Sequence, residues 1–159
     1  MGNRDKNLLT ALNLLQALGG VGPVSPVYRT APVGMPPETP EFHNLATRLE
    51  SNLSPQNLLT GIKKIEREMG RIPADGPPRS RPIDIDILTA NGRIVASPAL
   101  TIPHPRMWDR AFVVFPMADI APHLANPHTR LTMAQTRQNF SAGDAVERLG
   151  KLPLLSRDS

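Results

Sequence analysis

Eighteen prolines in a chain of 159 residues constrain the fold more than any other feature. They gather between Gly22 and Pro55, between Pro73 and Pro105, and around Pro116 and Pro122. A proline ring lacks an N–H and locks φ, so it breaks helix interiors and central strands alike. Much of the chain must therefore be extended loop, with short helices and strands between. Long loops in a small domain are often binding loops or lids. The length suffices for one core and is too short for two comfortable ones, which predicts a single globular unit.

The formal net charge of +4 comes from arginines spread along the chain rather than from a basic run. With aromatic residues at 4% there is no stacking set for bases, so the charge favours a phosphate-bearing small ligand at least as well as nucleic acid. The absence of cysteine excludes disulfides and thiolate metal sites and fits a reducing compartment. No apolar run reaches the length of a membrane span and no signal-peptide pattern opens the sequence. A cytoplasmic protein is expected.

Along the chain, Leu8, Leu9, Leu12, Leu15 and Leu18 recur at helical spacing, with Asn3 or Asp5 as cap and Gly19-Gly20 as stop. A strand is predicted from Val24 to Thr30, starting or lying at an edge because of Pro26. The run from Ala31 to Pro40 can be neither helix nor central strand. A second strand is predicted from Phe42 to Glu50. Ser54-Pro55 then caps a helix whose apolar stripe is Leu58, Leu59, Ile62, Ile65 and Met69, closed by Gly70. Asn91-Gly92 is the strongest hairpin signal and predicts that Arg93 to Val95 returns antiparallel. Between Arg106 and Ala121 the pattern is core-like but leaves helix and strand open. One short helix is expected between Met133 and Phe140. The order implies an α+β domain with helices against a largely antiparallel sheet.

The chemistry-bearing stretch is Ile83-Asp84-Ile85-Asp86-Ile87-Leu88. Alternation puts three isoleucines on one face of a predicted strand and Asp84 and Asp86 on the other. Carboxylates two residues apart lie roughly 6.6 Å from one another and repel by about 2.5 kcal/mol at an effective dielectric near 20. A countercharge is required. Arg79 and Arg81 could supply it, and so could magnesium, as one ion or as a pair about 4 Å apart. Taken alone, the motif reads better as an acidic, salt-bridged strand face than as a metal site.

Five further blocks accompany it: Ser25 to Gly34, Phe42-His43-Asn44, Ile65 to Arg71, Leu100 to Arg106, and Arg110 to Val113. In this order and spacing, from about Arg4 to Pro122, the chain resembles the 6-hydroxymethyl-7,8-dihydropterin pyrophosphokinases of folate biosynthesis. The resemblance implies a ferredoxin-like α-β-α sandwich and transfer of pyrophosphate from ATP to the pterin hydroxymethyl group, with release of AMP. It implies that Asp84 and Asp86 hold two magnesium ions. It places Asn44, Phe42 and the backbone of Thr30, Pro32 and Val33 at the pterin, with Phe112 stacking on the ring. Arg71, Arg81, Ile87, Thr101, His104 and Arg110 fall around the nucleotide, Arg71 and Arg81 also serving the transfer itself, and Arg110 also touching the pterin side. Singly, Asn44 would be a polar strand residue, Phe112 a core residue and His104 a loop residue. No nucleic-acid or membrane partner is implied.

The resemblance has gaps. The family opens with an apolar strand running into a Gly-Ser-Asn turn, whereas Met1-Gly2-Asn3-Arg4 starts inside or just after that turn, so the first strand is expected to be missing. Many members carry Trp-Gly-Pro-Arg-Thr where this chain has Pro78-Arg79-Ser80-Arg81-Pro82. Pro105, Ala99 and Ala74 replace the tyrosine, arginine and basic residue found in some members, and weaker ATP binding than in a full-motif member is expected. Residues 1–125 are expected to form the pyrophosphokinase domain and 126–159 a partly mobile extension of it. The alternative is a truncated relative that binds nucleotide or pterin without turnover; a basic nucleic-acid-binding domain is a third reading resting on charge alone.

Overall fold

The computed structural model describes residues 4–30, 41–70, 83–140 and 146–152. In chain order the elements are α1 (Arg4–Leu15), β1 (Gly20–Val24), β2 (Val27–Thr30), β3 (Phe42–Asn44), β4 (Thr47–Glu50), α2 (Pro55–Met69), β5 (Val95–Ala96), β6 (Thr101–Ile102), α3 (Ala111–Ile120), α4 (Met133–Gln138) and β7 (Val146–Gly150). This is the α+β composition that the sequence predicts. The chain divides into two compact units: Met1–Val21 with Leu49–Pro105, and Gly22–Arg48 with Arg106–Ser159.

In the first unit, α1 buries Leu8, Leu12 and Leu15 of the predicted stripe together with Ala11, while Leu9 and Leu18 are half-buried. Leu18, in the turn after it, packs on Gly61 of α2, where a Cβ would come within 2.6 Å of a Leu18 methyl. The α2 helix begins as predicted: Pro55 is its first residue and the Ser54 hydroxyl accepts the Asn57 N–H at 3.1 Å. It ends with the Gly70 N–H donating to the Glu66 carbonyl at 2.9 Å. The Asn91-Gly92 turn also forms, both residues at positive φ (49° and 74°), with the Arg93 N–H donating to the Ala90 carbonyl at 2.8 Å.

Two strand expectations fail here. Residues 83–88 are not part of any ladder among the described residues, and Arg93 to Val95 does not return along them. Val95 pairs instead with Ile102 in the antiparallel β5–β6 ribbon. Backbone groups that a ladder would use are bonded elsewhere: the Ile85 N–H donates to the Glu66 carboxylate and the Leu88 carbonyl accepts the His104 N–H, each at 2.8 Å. The predicted alternation nevertheless survives, with the isoleucines half-buried and both aspartates exposed.

The second unit is built on the antiparallel sheet β3-β2-β7. Its register places Tyr28 opposite Asn44, Thr30 opposite Phe42, and Arg29 opposite both His43 and Glu147. The strands predicted over Val24 to Thr30 and Phe42 to Glu50 are each cut in two, β1 pairing with β4 while β2 pairs with β3. The cuts face one another. Pro26 has no N–H to offer, and the buried Ser25 closes the gap: its N–H donates to the Ala46 carbonyl at 2.8 Å and its hydroxyl accepts the Ala46 N–H at 2.9 Å.

The segment left open between helix and strand is a helix, α3, which buries Val114, Pro116, Met117 and Ala118. Phe115 meets Tyr28 edge-on at 6.0 Å and Phe140 at the same separation. The Tyr28 hydroxyl donates to Asp119 at 2.5 Å, and Arg137 of α4 pairs with the other oxygen of that carboxylate at 3.2 Å. Burial, reinforced by the hydrogen bond to Asp119, pushes the Tyr28 phenol up to about 12. The predicted short helix is α4, opened by a capping box between Thr132 and Gln135. The β7 strand, absent from the sequence reading, follows it.

Candidate active site

In the first unit a cleft of about 250 Å³ is lined by Leu59 and Lys63 of α2, by Ile85, Asp86 and Ile87, and by Leu100, Thr101 and His104. Extended backbone brings Ile85 and Ile87 to half-buried positions and leaves Asp84 and Asp86 exposed on the alternate positions. Thr101 is carried on β6, and His104 is held by its N–H to the Leu88 carbonyl. Asp86, Ile87, Thr101 and His104 are therefore brought together around one cleft, with Asp84 two residues away on the same exposed side.

In the second unit, Thr30 and Asn44 meet across β2 and β3, the Asn44 amide donating to the Thr30 hydroxyl at 3.4 Å. Phe42, directly opposite Thr30 in the register, is 53% exposed and so is not a core residue. Arg110 and Phe112 open α3, with the guanidinium 5.6 Å from the ring centroid. Arg29, between Tyr28 and Thr30, pairs with Glu41 at 3.0 Å and with Glu147 of β7. Pro32, Val33, Arg71 and Arg81 lie outside the described residues.

Sequence reading missed Leu59 and Lys63 as cleft residues and Glu66 as a contact to the acidic segment. The signal was present: Leu59, Lys63 and Glu66 share one face of α2 at i, i+4 and i+7. It was absorbed into the apolar stripe, where Leu59 already had a packing role.

Among the described residues no three His, Cys, Asp or Glu side chains cluster as a metal cage. Two exposed carboxylates on one side of an extended segment are a different donor set. They suit magnesium, which retains waters and takes the rest of its ligands from substrate phosphates. Hard oxygen donors, a lysine, a threonine and a histidine around one cleft have the makings of a phosphate-handling enzyme site.

Comparison with known proteins gives that class a family. The family described as 7,8-dihydro-6-hydroxymethylpterin-pyrophosphokinase matches residues 1–122. The folic acid synthesis protein FOL1 of Dictyostelium discoideum is 34% identical over 155 residues, covering 96% of this chain and 23% of its own length. The 2-amino-4-hydroxy-6-hydroxymethyldihydropteridine pyrophosphokinase of Porphyromonas gingivalis is 42% identical over 128 residues, covering 78% of this chain and 86% of its own. A folate synthesis bifunctional protein of Arabidopsis thaliana is 36% identical over 162 residues, covering 99% of this chain and 33% of its own. The chain thus spans most of the bacterial relative and a quarter to a third of the other two. It belongs to the 7,8-dihydro-6-hydroxymethylpterin-pyrophosphokinase family, a family of enzymes.

Proposed function

We propose that this chain is a 2-amino-4-hydroxy-6-hydroxymethyldihydropteridine diphosphokinase, transferring pyrophosphate from ATP to 6-hydroxymethyl-7,8-dihydropterin and releasing AMP in folate biosynthesis. The observation that carries the reading is the family match over residues 1–122 falling on an acidic segment whose Asp84 and Asp86 are both exposed, with Asp86 in a cleft beside Thr101 and His104. Asp84 and Asp86 would hold two magnesium ions, which supply charge neutralisation for the ATP phosphates. Ile87 offers an apolar wall to the nucleotide, and Thr101 and His104 offer hydrogen bonds. Arg71 and Arg81 would neutralise the group in transfer, and Arg110 would contribute a further cation to substrate binding.

Asn44, with Thr30 and the backbone of Pro32 and Val33, matches the donors and acceptors of the pterin. Phe42 and Phe112 offer it aromatic faces. The chain then needs no covalent intermediate. Its work is to hold the pterin hydroxyl in line with the β-phosphorus and to exclude water. The same reading takes the fold as ferredoxin-like, residues 1–125 as the catalytic domain with 126–159 as its extension, and residues 83–88 as a strand position whose neighbour is absent from the described residues. A cytoplasmic setting belongs to it too; no described helix is long and apolar enough to cross a membrane.

Incubation with ATP, magnesium and hydroxymethyldihydropterin tests the proposal. AMP and pterin pyrophosphate are expected. Binding of both substrates without AMP favours the truncated, non-catalytic relative. Failure to bind either overturns both.

A further inference from the structure

We infer that Glu66 is a positioning residue for the two aspartates, acting through the backbone of Ile85; the inference rests on the magnesium reading above. Glu66 lies on α2, its side chain only 7% exposed. Burying a carboxylate is costly unless it is paired, and an apolar residue would fill this face of the helix at less cost. One oxygen, Oε2, accepts the Ile85 N–H at 2.8 Å. The other, Oε1, is buried without a hydrogen bond and has the Lys63 ammonium 3.4 Å away.

Ile85 stands between Asp84 and Asp86. Burial alternates along the segment, so fixing the direction of the Ile85 N–H sets its rotation and keeps both flanking carboxylates on the one exposed face. A sheet ladder would ordinarily do this, and residues 83–88 join none among the described residues. Glu66 takes the place of that neighbour with a single charge-assisted bond. Through Oε1 it also holds Lys63, which lines the cleft together with Asp86. Partners that orient metal-holding groups in this way typically change metal affinity about 10- to 100-fold when removed.

The test uses the full chain and three readouts: hydrogen exchange at the Ile85 amide, the magnesium concentration giving half-maximal AMP release, and KM for the pterin. In the parent chain the Ile85 amide should exchange at least about tenfold more slowly than an unprotected amide. Glu66→Ala should remove that protection and raise the magnesium requirement about tenfold or more, with the pterin KM within about twofold. Glu66→Gln keeps an oxygen acceptor at the same reach and should recover most of both effects. An unprotected Ile85 amide in the parent overturns the inference, and this holds even if Glu66→Ala fails to fold. Unchanged magnesium dependence in a folded Glu66→Ala, or equal losses in the Ala and Gln variants, overturns it as well. Asp84→Asn and Asp86→Asn separate this from the underlying reading: if they leave the magnesium requirement unchanged, the metal assignment falls and the inference falls with it. If they abolish turnover while Glu66→Ala behaves as the parent, the positioning role alone falls.

Discussion

The two units solve the same problem, holding polar groups still at a surface, by different means. In the second unit Thr30, Phe42 and Asn44 are placed by a sheet register, so their spacing follows from backbone hydrogen bonds between β2 and β3. The sheet is backed by Tyr28, Phe115, Asp119 and Arg137. In the first unit Asp84 and Asp86 lie on a segment that joins no ladder among the described residues and is held by a helix carboxylate and by the His104 N–H. A register distributes its hold over many bonds, whereas side-chain tethering concentrates it in one or two. The acidic segment should therefore be the more sensitive of the two to single substitutions.

The sharpest way to break the comparison is to remove the acids. Asp84→Ala or Asp86→Ala should lower AMP release by about 10³-fold. Both residues are exposed, so the melting temperature should move by less than about 4 °C. A variant retaining normal turnover would end the magnesium assignment. On the other side, Asn44→Ala should raise the pterin KM about 10- to 100-fold while leaving the magnesium requirement unchanged. A shift in both would show that the two sets of groups are not separable.

Smaller effects are expected in the framework. At Gly19 a Cβ would collide with the Glu50 backbone carbonyl, and Gly19→Ala should cost about 1–3 kcal/mol in a urea titration. Gly22, at 3.4 Å from the Arg48 side chain, has room for a methyl, and Gly22→Ala should change stability by less than about 0.5 kcal/mol. Equal costs at the two positions would contradict the close approach of Gly19 to the Glu50 carbonyl.

A further effect is a pH dependence. The Tyr28 phenol is raised from 10.0 to about 12 by burial and by Asp119, so its neutral form is favoured in the folded chain. That contribution is fully present below pH 10 and is lost as pH rises from 10 to about 12. The stability difference between the parent and Tyr28→Phe should shrink across that window. A constant difference would show that Tyr28 does not titrate with folding.

Much of this was legible in the sequence because local chemistry decided it. Ser54-Pro55 and Gly70 bound α2, and Asn91-Gly92 makes its turn, whatever surrounds them. Leu8, Leu12 and Leu15 of the α1 stripe and the alternation of residues 83–87 also survive. What could not be read depends on distant partners. Whether 83–88 joins a ladder turns on a neighbouring strand, and periodicity reports only which side is apolar. The twin breaks at Ser25-Pro26 and Leu45-Ala46 come from one side chain bridging two segments that look continuous in isolation. β7 has only a few residues of weak alternation and gains its place by pairing with β2. Among the candidate site residues, the acids, Thr101 and His104 were found because they belong to ordered blocks. Lys63 and Glu66 were hidden because their helix already had a packing explanation.

On the proposed function, the acidic segment serves pyrophosphate transfer at the β-phosphorus of ATP. A phosphorus NMR spectrum of the chain turning over ATP, magnesium and hydroxymethyldihydropterin tests it most directly. AMP and pterin diphosphate should accumulate in equal amounts without ADP, and both should vanish with Asp86→Asn. ADP or free phosphate as the product, or an unchanged spectrum with that variant, would contradict the account.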